Sequence, residues 1–162
     1  MELKKVIVIG CPGAGKSTFS RKLSAKTNLP LYYLDMIWHR PDRTVIGRVE
    51  FDKRLSEIIE KDNWILDGNY ARTLPMRLAK CDTVFFFDLP LEECIAGVKS
   101  RLGKERVDMP WTENELDSEF LQWITNFPRD IVPEINRYLE QFDKSVIRFH
   151  SRAEADRFIS SL

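Results

Sequence analysis

Short apolar runs alternate along this chain with longer segments in which apolar residues recur every three or four positions. The short runs are typical of β-strands that are buried on both faces, as the strands of parallel sheets are. They occupy residues 6–9, 31–34, 64–66, 84–87 and 145–149. The segments between them have the apolar spacing of helices, for example 50–61 and 91–102. This alternation predicts a doubly wound α/β fold, and we expect residues 1–162 to form one domain.

The last third of the chain predicts three helices, which begin at Glu113, Ile131 and Ala153. Pro128 is expected to break or kink the first of them, because proline lacks a backbone N–H and its ring clashes with the preceding turn. The aromatic stripe of that helix fits a core face better than a ligand site.

A glycine-rich motif follows the first apolar run directly. Residues 10–18 read Gly-Cys-Pro-Gly-Ala-Gly-Lys-Ser-Thr, which fits the P-loop pattern of Gly, four residues, Gly-Lys and Ser or Thr. Average composition gives such a match by chance with a probability below about one percent. The motif also has the buried strand before it and the helix after it that a P-loop needs. We therefore assign nucleotide binding to Gly10, Cys11, Pro12, Gly13, Ala14, Gly15, Lys16, Ser17 and Thr18.

The P-loop residues have distinct expected roles. Glycines let backbone N–H groups wrap a polyphosphate, and a helix that begins near Gly15 points its positive dipole end at the same phosphates. Lys16 would reach the β and γ phosphates, and Ser17 would ligate Mg²⁺.

Carboxylates follow three of the predicted strands, at the sheet edge where ligands of parallel sheets collect. Asp35 is a candidate base or hydroxyl anchor for an acceptor substrate, or else the N-cap of a helix from Met36 onward. Asp67 and Asp88 both compete for the Walker B role of holding Mg²⁺.

Arginines supply the remaining candidates. Arg72 could clamp a phosphate or carboxylate through its planar fork. Arg101 and Arg106 lie in a basic segment that is either a solvated helix end or, as we favour for these two, a cationic lid over residues 101–112 that stabilises phosphoryl transfer. Residues 36–63 are either a cover over the acceptor or an ordinary crossover with a charged loop.

Composition narrows the class of protein. The chain has 25 Lys and Arg residues and 25 Asp and Glu residues, so its net charge is zero. This balance disfavours a protein whose main task is to bind a nucleic-acid backbone, although a local basic patch remains compatible with zero net charge. Three cysteines without metal-type spacing suit a reducing compartment, and no apolar stretch reaches membrane-spanning length. We expect a soluble, cytoplasmic protein; nothing in the sequence indicates its oligomeric state.

Taken together, the motifs resemble the nucleoside-monophosphate-kinase-like branch of P-loop proteins, and in particular the adenylate-kinase-related family of DNA topology modulation proteins. The matching segments are 10–17, 64–70, 106 with 108–109, 120–123 and 126–129. The resemblance implies a three-layer α/β/α domain whose parallel sheet has the strand order 2-3-1-4-5. That order places the third strand beside the P-loop strand, which favours Asp67 over Asp88 for Mg²⁺.

The same resemblance assigns two arginines. Arg72 matches an arginine that contacts the acceptor phosphate in adenylate kinases, and Arg101 matches the one that opens their lid. Two departures are visible: residues 36–63 lack the usual monophosphate-binding pattern, and helices are expected where the usual lid would follow Arg101.

These inferences lead to one main hypothesis and one alternative. The main hypothesis is an ATP- and Mg²⁺-dependent phosphotransferase that acts on a nucleotide or another small acceptor. Lys16 would hold the donor, Ser17 and Asp67 would place Mg²⁺, Arg101 and Arg106 would neutralise the transferring charge, and Asp35 and Arg72 would hold the acceptor. The alternative is a non-catalytic nucleotide-binding regulator connected with DNA topology.

Overall fold

The chain folds around a parallel sheet, seen in a computed structural model that describes residues 2–162. Its strands are β1 (Lys5–Gly10), β2 (Leu31–Tyr33), β3 (Trp64–Asp67), β4 (Thr83–Phe87) and β5 (Ser145–Phe149). They lie in the order β2-β3-β1-β4-β5, and every neighbouring pair is parallel. The predicted doubly wound α/β fold and the strand order implied by the resemblance are both confirmed. The register pairs Val8 with Asp67, so the ends of β1 and β3 meet at one edge.

Helices connect the strands and cover the sheet. They are α1 (Lys16–Thr27), α2 (Leu34–Trp38), α3 (Arg48–Ile59), α4 (Leu74–Leu78), α5 (Leu91–Ser100), α6 (Ser118–Asp130), α7 (Val132–Glu140) and α8 (Arg152–Ser161). A 3-10 turn, Ala71–Thr73, precedes α4. Within residues 2–162, none of the helices has both the length and the apolar character that crossing a membrane requires.

The core explains why the central strands are almost uninterruptedly apolar. Residues 6–9 of β1 and 84–86 of β4 have no solvent exposure, because helices pack on both faces of the sheet. On one face, the ring of Phe19 from α1 meets the rings of Phe85 and Phe149 edge-on, with centroids 4.9 and 5.3 Å away. Such edge-to-face contacts suit the quadrupoles of aromatic rings. This packing holds α1, and therefore the loop before it, against the sheet.

The segment after α5 differs from the prediction of a helix beginning at Glu113. Residues 101–117 contain no regular helix, and α6 begins only at Ser118. The backbone N–H of Gly103 donates to the carbonyl of Glu113 at 2.6 Å, which ties this segment into a loop. Asp117 then caps α6 by accepting from the backbone N–H groups of Glu119 and Phe120.

Pro128 neither ends nor interrupts α6, which continues to Asp130. The predicted break at Pro128 is therefore wrong: α6 ends after that residue, at Asp130, and α7 begins at Val132.

Candidate active site

The P-loop forms an open anion cradle at the carboxyl edge of the sheet. Strand β1 ends at Gly10, and α1 begins after Gly15, whose φ of +102° is left-handed. No side chain caps this end of α1, so its first N–H groups remain free to face phosphates. A side chain at Gly10 or Gly13 would collide with the carbonyl oxygen of Phe87 or Cys94, respectively, so close packing also requires these glycines.

The ammonium of Lys16 folds back onto the start of the P-loop. Its Nζ donates to the carbonyl oxygens of Gly10 and Cys11 at 2.9 and 3.0 Å. Burial lowers the pKa of Lys16, whereas the charge of Asp67 works in the opposite direction. Lys16 is thus a partly desolvated cation at the centre of the cradle, and the phosphates of a nucleotide would be its natural counter-charge.

The carboxylate of Asp67 lies at the end of β3, next to the P-loop strand. It is 7% exposed, and its Oδ2 has no hydrogen-bond partner. Burial raises the pKa of Asp67 to about 7, although Lys16 and Ser20 lower it. A buried carboxylate oxygen without a partner is costly unless a ligand satisfies it.

These residues fit a magnesium ion. Mg²⁺ is held in proteins by one or two carboxylates together with substrate phosphates and waters. The free oxygen of Asp67 and the hydroxyl of Ser17, which accepts from Arg21 at 2.8 Å, are of the right kind. Among residues 2–162 there is no cluster of three or more His, Cys, Asp or Glu side chains that could hold a metal alone, so the ion would need the nucleotide.

Asp88, the rival for the metal role, lies outside the crevice. Its carboxylate is 3.5 Å from the guanidinium of Arg148 on β5, and its side chain is 39% exposed. The crevice in front of the P-loop is lined by Asp67 and not by Asp88. This placement supports the choice of Asp67.

Asp35 lines the same crevice as the P-loop. It lies in the first turn of α2, and its Oδ1 accepts a hydrogen bond from the hydroxyl of Tyr70 at 2.6 Å. Tyr33, and not Asp35, occupies the N-cap of α2, so the interpretation of Asp35 as a cap is wrong. The charge of Asp35 also acts on the pKa values of Lys16 and Arg101, although burial is the main cause of both shifts. Asp35 is therefore near the donor site.

Arg72 is not brought to the crevice. Its guanidinium makes a two-pronged ion pair with Asp52 on α3, with N–O distances of 3.0 and 2.8 Å. Hydrogen bonds from Arg72 correspondingly lower the pKa of Asp52. The two side chains are 45% and 39% exposed. The expected role of Arg72 as an acceptor clamp is not supported by this placement, because a carboxylate 20 residues earlier in the chain already occupies its fork.

The two arginines of the predicted lid both line the crevice, but within residues 2–162 only one of them is ion-paired. Arg106 is ion-paired with Asp108 at 2.7 Å and lies 3.7 Å from Glu113, and its side chain is only 9% exposed. Arg101 is partly buried, and its Nε has no partner. Burial and the neighbouring charge of Arg106 both lower the pKa of Arg101. Arg101 is thus the one with unused hydrogen-bonding capacity.

Contacts that the sequence did not reveal complete the crevice. The ring of Trp111 lies 5.1 Å from the ring of His39, and the guanidinium of Arg43 sits 5.3 Å from the same indole. The loop 39–47 and the segment 101–117 therefore meet across the crevice. Asn69 exchanges two hydrogen bonds with the backbone of Gly10, at 2.9 and 2.8 Å. No periodicity or motif signals such contacts, because each joins residues far apart in the chain.

Comparisons with known proteins give one sequence relative and several structural neighbours. No model of a known protein family matches the chain. An adenylate kinase from Kosmotoga olearia is 31% identical over 108 residues, which cover 62% of this chain and 48% of that protein. The chain thus spans about half the length of the curated relative that it matches.

Solved structures of shikimate kinases are similar over nearly the whole chain. The enzyme from Bacteroides thetaiotaomicron gives a TM-score of 0.62 at 16% identity and covers 99% of this chain and 96% of its own. The enzyme from Acinetobacter baumannii in complex with shikimate gives 0.62 at 17% identity and covers 98% and 92%. The comparisons do not show the DNA topology modulation family. They do show that this chain has the adenylate-kinase-like fold of P-loop kinases.

Proposed function

We propose that this protein is an ATP-dependent kinase that transfers the γ-phosphate to a hydroxyl group of a small acceptor. The observation that carries the proposal is the placement of Asp35, a carboxylate that is held by Tyr70 and lines the same crevice as the P-loop. Sequence similarity to an adenylate kinase and the fold shared with shikimate kinases support kinase chemistry and do not favour the regulator.

The charge pattern favours an alcohol acceptor. A carboxylate accepts a proton or a hydrogen bond from a hydroxyl, and it can therefore orient and activate an alcohol as nucleophile. An acceptor phosphate would instead bring an anion against Asp35, and Asp67 adds a second carboxylate nearby. The expected acceptor clamp Arg72, which would have offset that repulsion, is paired with Asp52.

The donor side would work through positioning and electrostatics. The P-loop N–H groups and Lys16 would hold the β and γ phosphates. Asp67 and Ser17 would hold Mg²⁺, which neutralises phosphate charge when it is bound. Arg101, with its free Nε, would face the charge that develops on the transferred group. Arg106 would act mainly by fixing the loop through Asp108.

The size of the crevice agrees with two substrates. Its volume is about 1660 Å³, more than the roughly 300–1,000 Å³ that holds one drug-sized ligand. The structural neighbour in complex with shikimate shows that this fold binds a small hydroxylated molecule. We therefore propose that the acceptor is a small hydroxylated metabolite. The cytoplasmic location and the link with DNA topology remain predictions from the sequence.

The test is turnover by wild type and Asp35→Asn against nucleosides, nucleoside monophosphates and small hydroxy compounds. We expect wild type to phosphorylate an alcohol, and Asp35→Asn to lower kcat about 100-fold or more with little change in ATP affinity, since general-base catalysis contributes that much. Asp88→Asn is the matched control, because it removes a strand-end carboxylate outside the crevice. If no acceptor exceeds background ATP hydrolysis while ATP binds tightly, the kinase proposal is wrong.

A further inference from the structure

A fully buried arginine lies directly behind the crevice. Arg77 on α4 has no solvent exposure and, among residues 2–162, no carboxylate partner. Burial lowers the pKa of Arg77 to about 9, although the neighbouring Cys81 acts in the opposite direction. A buried cation without a counter-ion is expensive, so its surroundings must compensate it with oriented dipoles.

The dipoles are the carbonyl oxygens of one short segment. Arg77 donates from Nη1 to Gly68 at 3.1 Å and from Nη2 to Asn69 and to Tyr70, the last at 3.3 Å. Its Nε donates to the hydroxyl of Thr73 at 3.2 Å, and that hydroxyl donates to the carbonyl of Tyr70 at 2.8 Å. The planar fork thus collects three consecutive carbonyls, which a lysine, with all its donors on one nitrogen, matches poorly.

The segment that these bonds hold has an unusual backbone. Gly68 has a φ of +146°, and a side chain there would press against Leu34. Tyr70 has a φ of +38°, which is rare for a bulky residue and persists only where neighbouring contacts over-determine it. Arg77 bonds to the carbonyl on each side of this strained geometry.

Side chains of this segment contact both halves of the crevice, the P-loop on the donor side and Asp35 on the acceptor side. Asn69 pairs with the N–H and the carbonyl of Gly10, the first residue of the P-loop. The hydroxyl of Tyr70 donates to Asp35, the proposed acceptor anchor. One buried guanidinium therefore supports one contact to the donor site and one to the acceptor site.

We propose that Arg77 is a positioning residue that couples the two halves of the crevice, by fixing Asn69 against the P-loop and Tyr70 against Asp35. Its effect on turnover rests on the kinase proposal, whereas its effect on the P-loop does not. Displacing the segment would leave both substrates able to bind but poorly aligned, and misalignment of reacting groups costs rate steeply.

The experiment compares Arg77→Lys, which keeps a buried cation, with Leu78→Ala, which removes core packing from the same helix. The first readout is hydrogen exchange of the Gly10 amide, measured by NMR against the amide of Val84 in the centre of the sheet. We expect Arg77→Lys to speed Gly10 exchange at least about tenfold more than Val84 exchange, because only the former depends on Asn69. Leu78→Ala should speed both alike.

The second readout is kinetic. Arg77→Lys should lower kcat about tenfold or more while the Kd of ATP changes less than about threefold. Tyr70→Phe should lower kcat in wild type but add little in Arg77→Lys, because residues that act through one another are not additive.

The outcomes are distinguishable. Unchanged Gly10 exchange in a folded Arg77→Lys protein overturns the inference, whatever the kinetics show. If Leu78→Ala reproduces the kinetic loss at equal stability, Arg77 is only structural and the inference is again wrong. If Gly10 exchange responds as expected but wild type phosphorylates no acceptor, the kinase proposal fails and the support of the P-loop by Arg77 stands.

Discussion

The ionisation of Asp67 should make the free protein less stable as the pH rises. The pKa of this carboxyl is 3.8 in the unfolded chain, and burial raises it to about 7 in the folded protein. Between these values the folded protein binds more protons than the unfolded chain, so the free energy of unfolding falls as pH increases. The slope is about 1.4 kcal/mol per pH unit at most, and the whole shift amounts to about 4 kcal/mol.

Asp67→Asn removes this titration while nearly preserving size. Relative to wild type, the variant should gain little stability near pH 4, gain steadily between pH 4 and 7, and reach a plateau of about 4 kcal/mol above pH 7. Urea unfolding of the nucleotide-free proteins at half-unit pH steps measures this difference. Asp88→Asn, at an exposed strand end, should show no such rise.

A pH-independent difference between wild type and Asp67→Asn from pH 4.5 to 7 would refute the argument, because it would mean that Asp67 is not a desolvated, titrating carboxyl. The same reasoning predicts the opposite trend for ligand binding. Mg²⁺ needs the ionised carboxylate, so the affinity for ATP with Mg²⁺ should rise through pH 7 in wild type but not in Asp67→Asn.

The remaining predictions concern the cations of the crevice. Lys16→Ala should abolish most of the rise in melting temperature that ATP with Mg²⁺ gives wild type, since ligand stabilisation follows affinity; an undiminished rise would contradict the P-loop assignment. Arg101→Ala should lower kcat about 100-fold with a smaller effect on ATP affinity, because the negative charge that Arg101 would stabilise develops during phosphoryl transfer. If the variant and wild type have the same kcat, Arg101 is only a residue at a helix end. Arg106→Ala should also lower stability by about 2 kcal/mol in urea unfolding, because it leaves the partly buried carboxylate of Asp108 unpaired, and Asp108→Asn in the same background should recover part of that loss.

The conformation of the P-loop was predictable because the loop is built from consecutive residues. Nine positions, 10–18, contain the loop, its lysine and the start of α1, and their backbone conformation follows from the glycines. The apolar runs likewise predicted all five strands, since strands buried on both faces leave an uninterrupted apolar signature. Strand order needed the resemblance, because periodicity does not say which strands are neighbours.

Elsewhere, local signals were overridden by specific contacts. Apolar spacing from Glu113 onward predicted a helix, but Asp117 is a stronger start signal and Gly103 ties the preceding residues into a loop. Arg72 had the right chemistry for an acceptor clamp, but Asp52 binds it from α3. Such outcomes depend on which side chains the fold brings together.

The acceptor half depends almost wholly on contacts of this kind. Tyr70 meets Asp35 across 35 residues of sequence, and Asn69 meets Gly10 across 59. The walls in front of them are the loop 39–47 and the segment 101–117, which meet where His39 and Arg43 contact Trp111. Loops tolerate substitution and insertion far better than the sheet that carries them. If the kinase proposal is right, substitutions in these two loops should therefore change which acceptor has the highest kcat/KM, while the Kd of ATP, which depends on the P-loop and Asp67, stays the same.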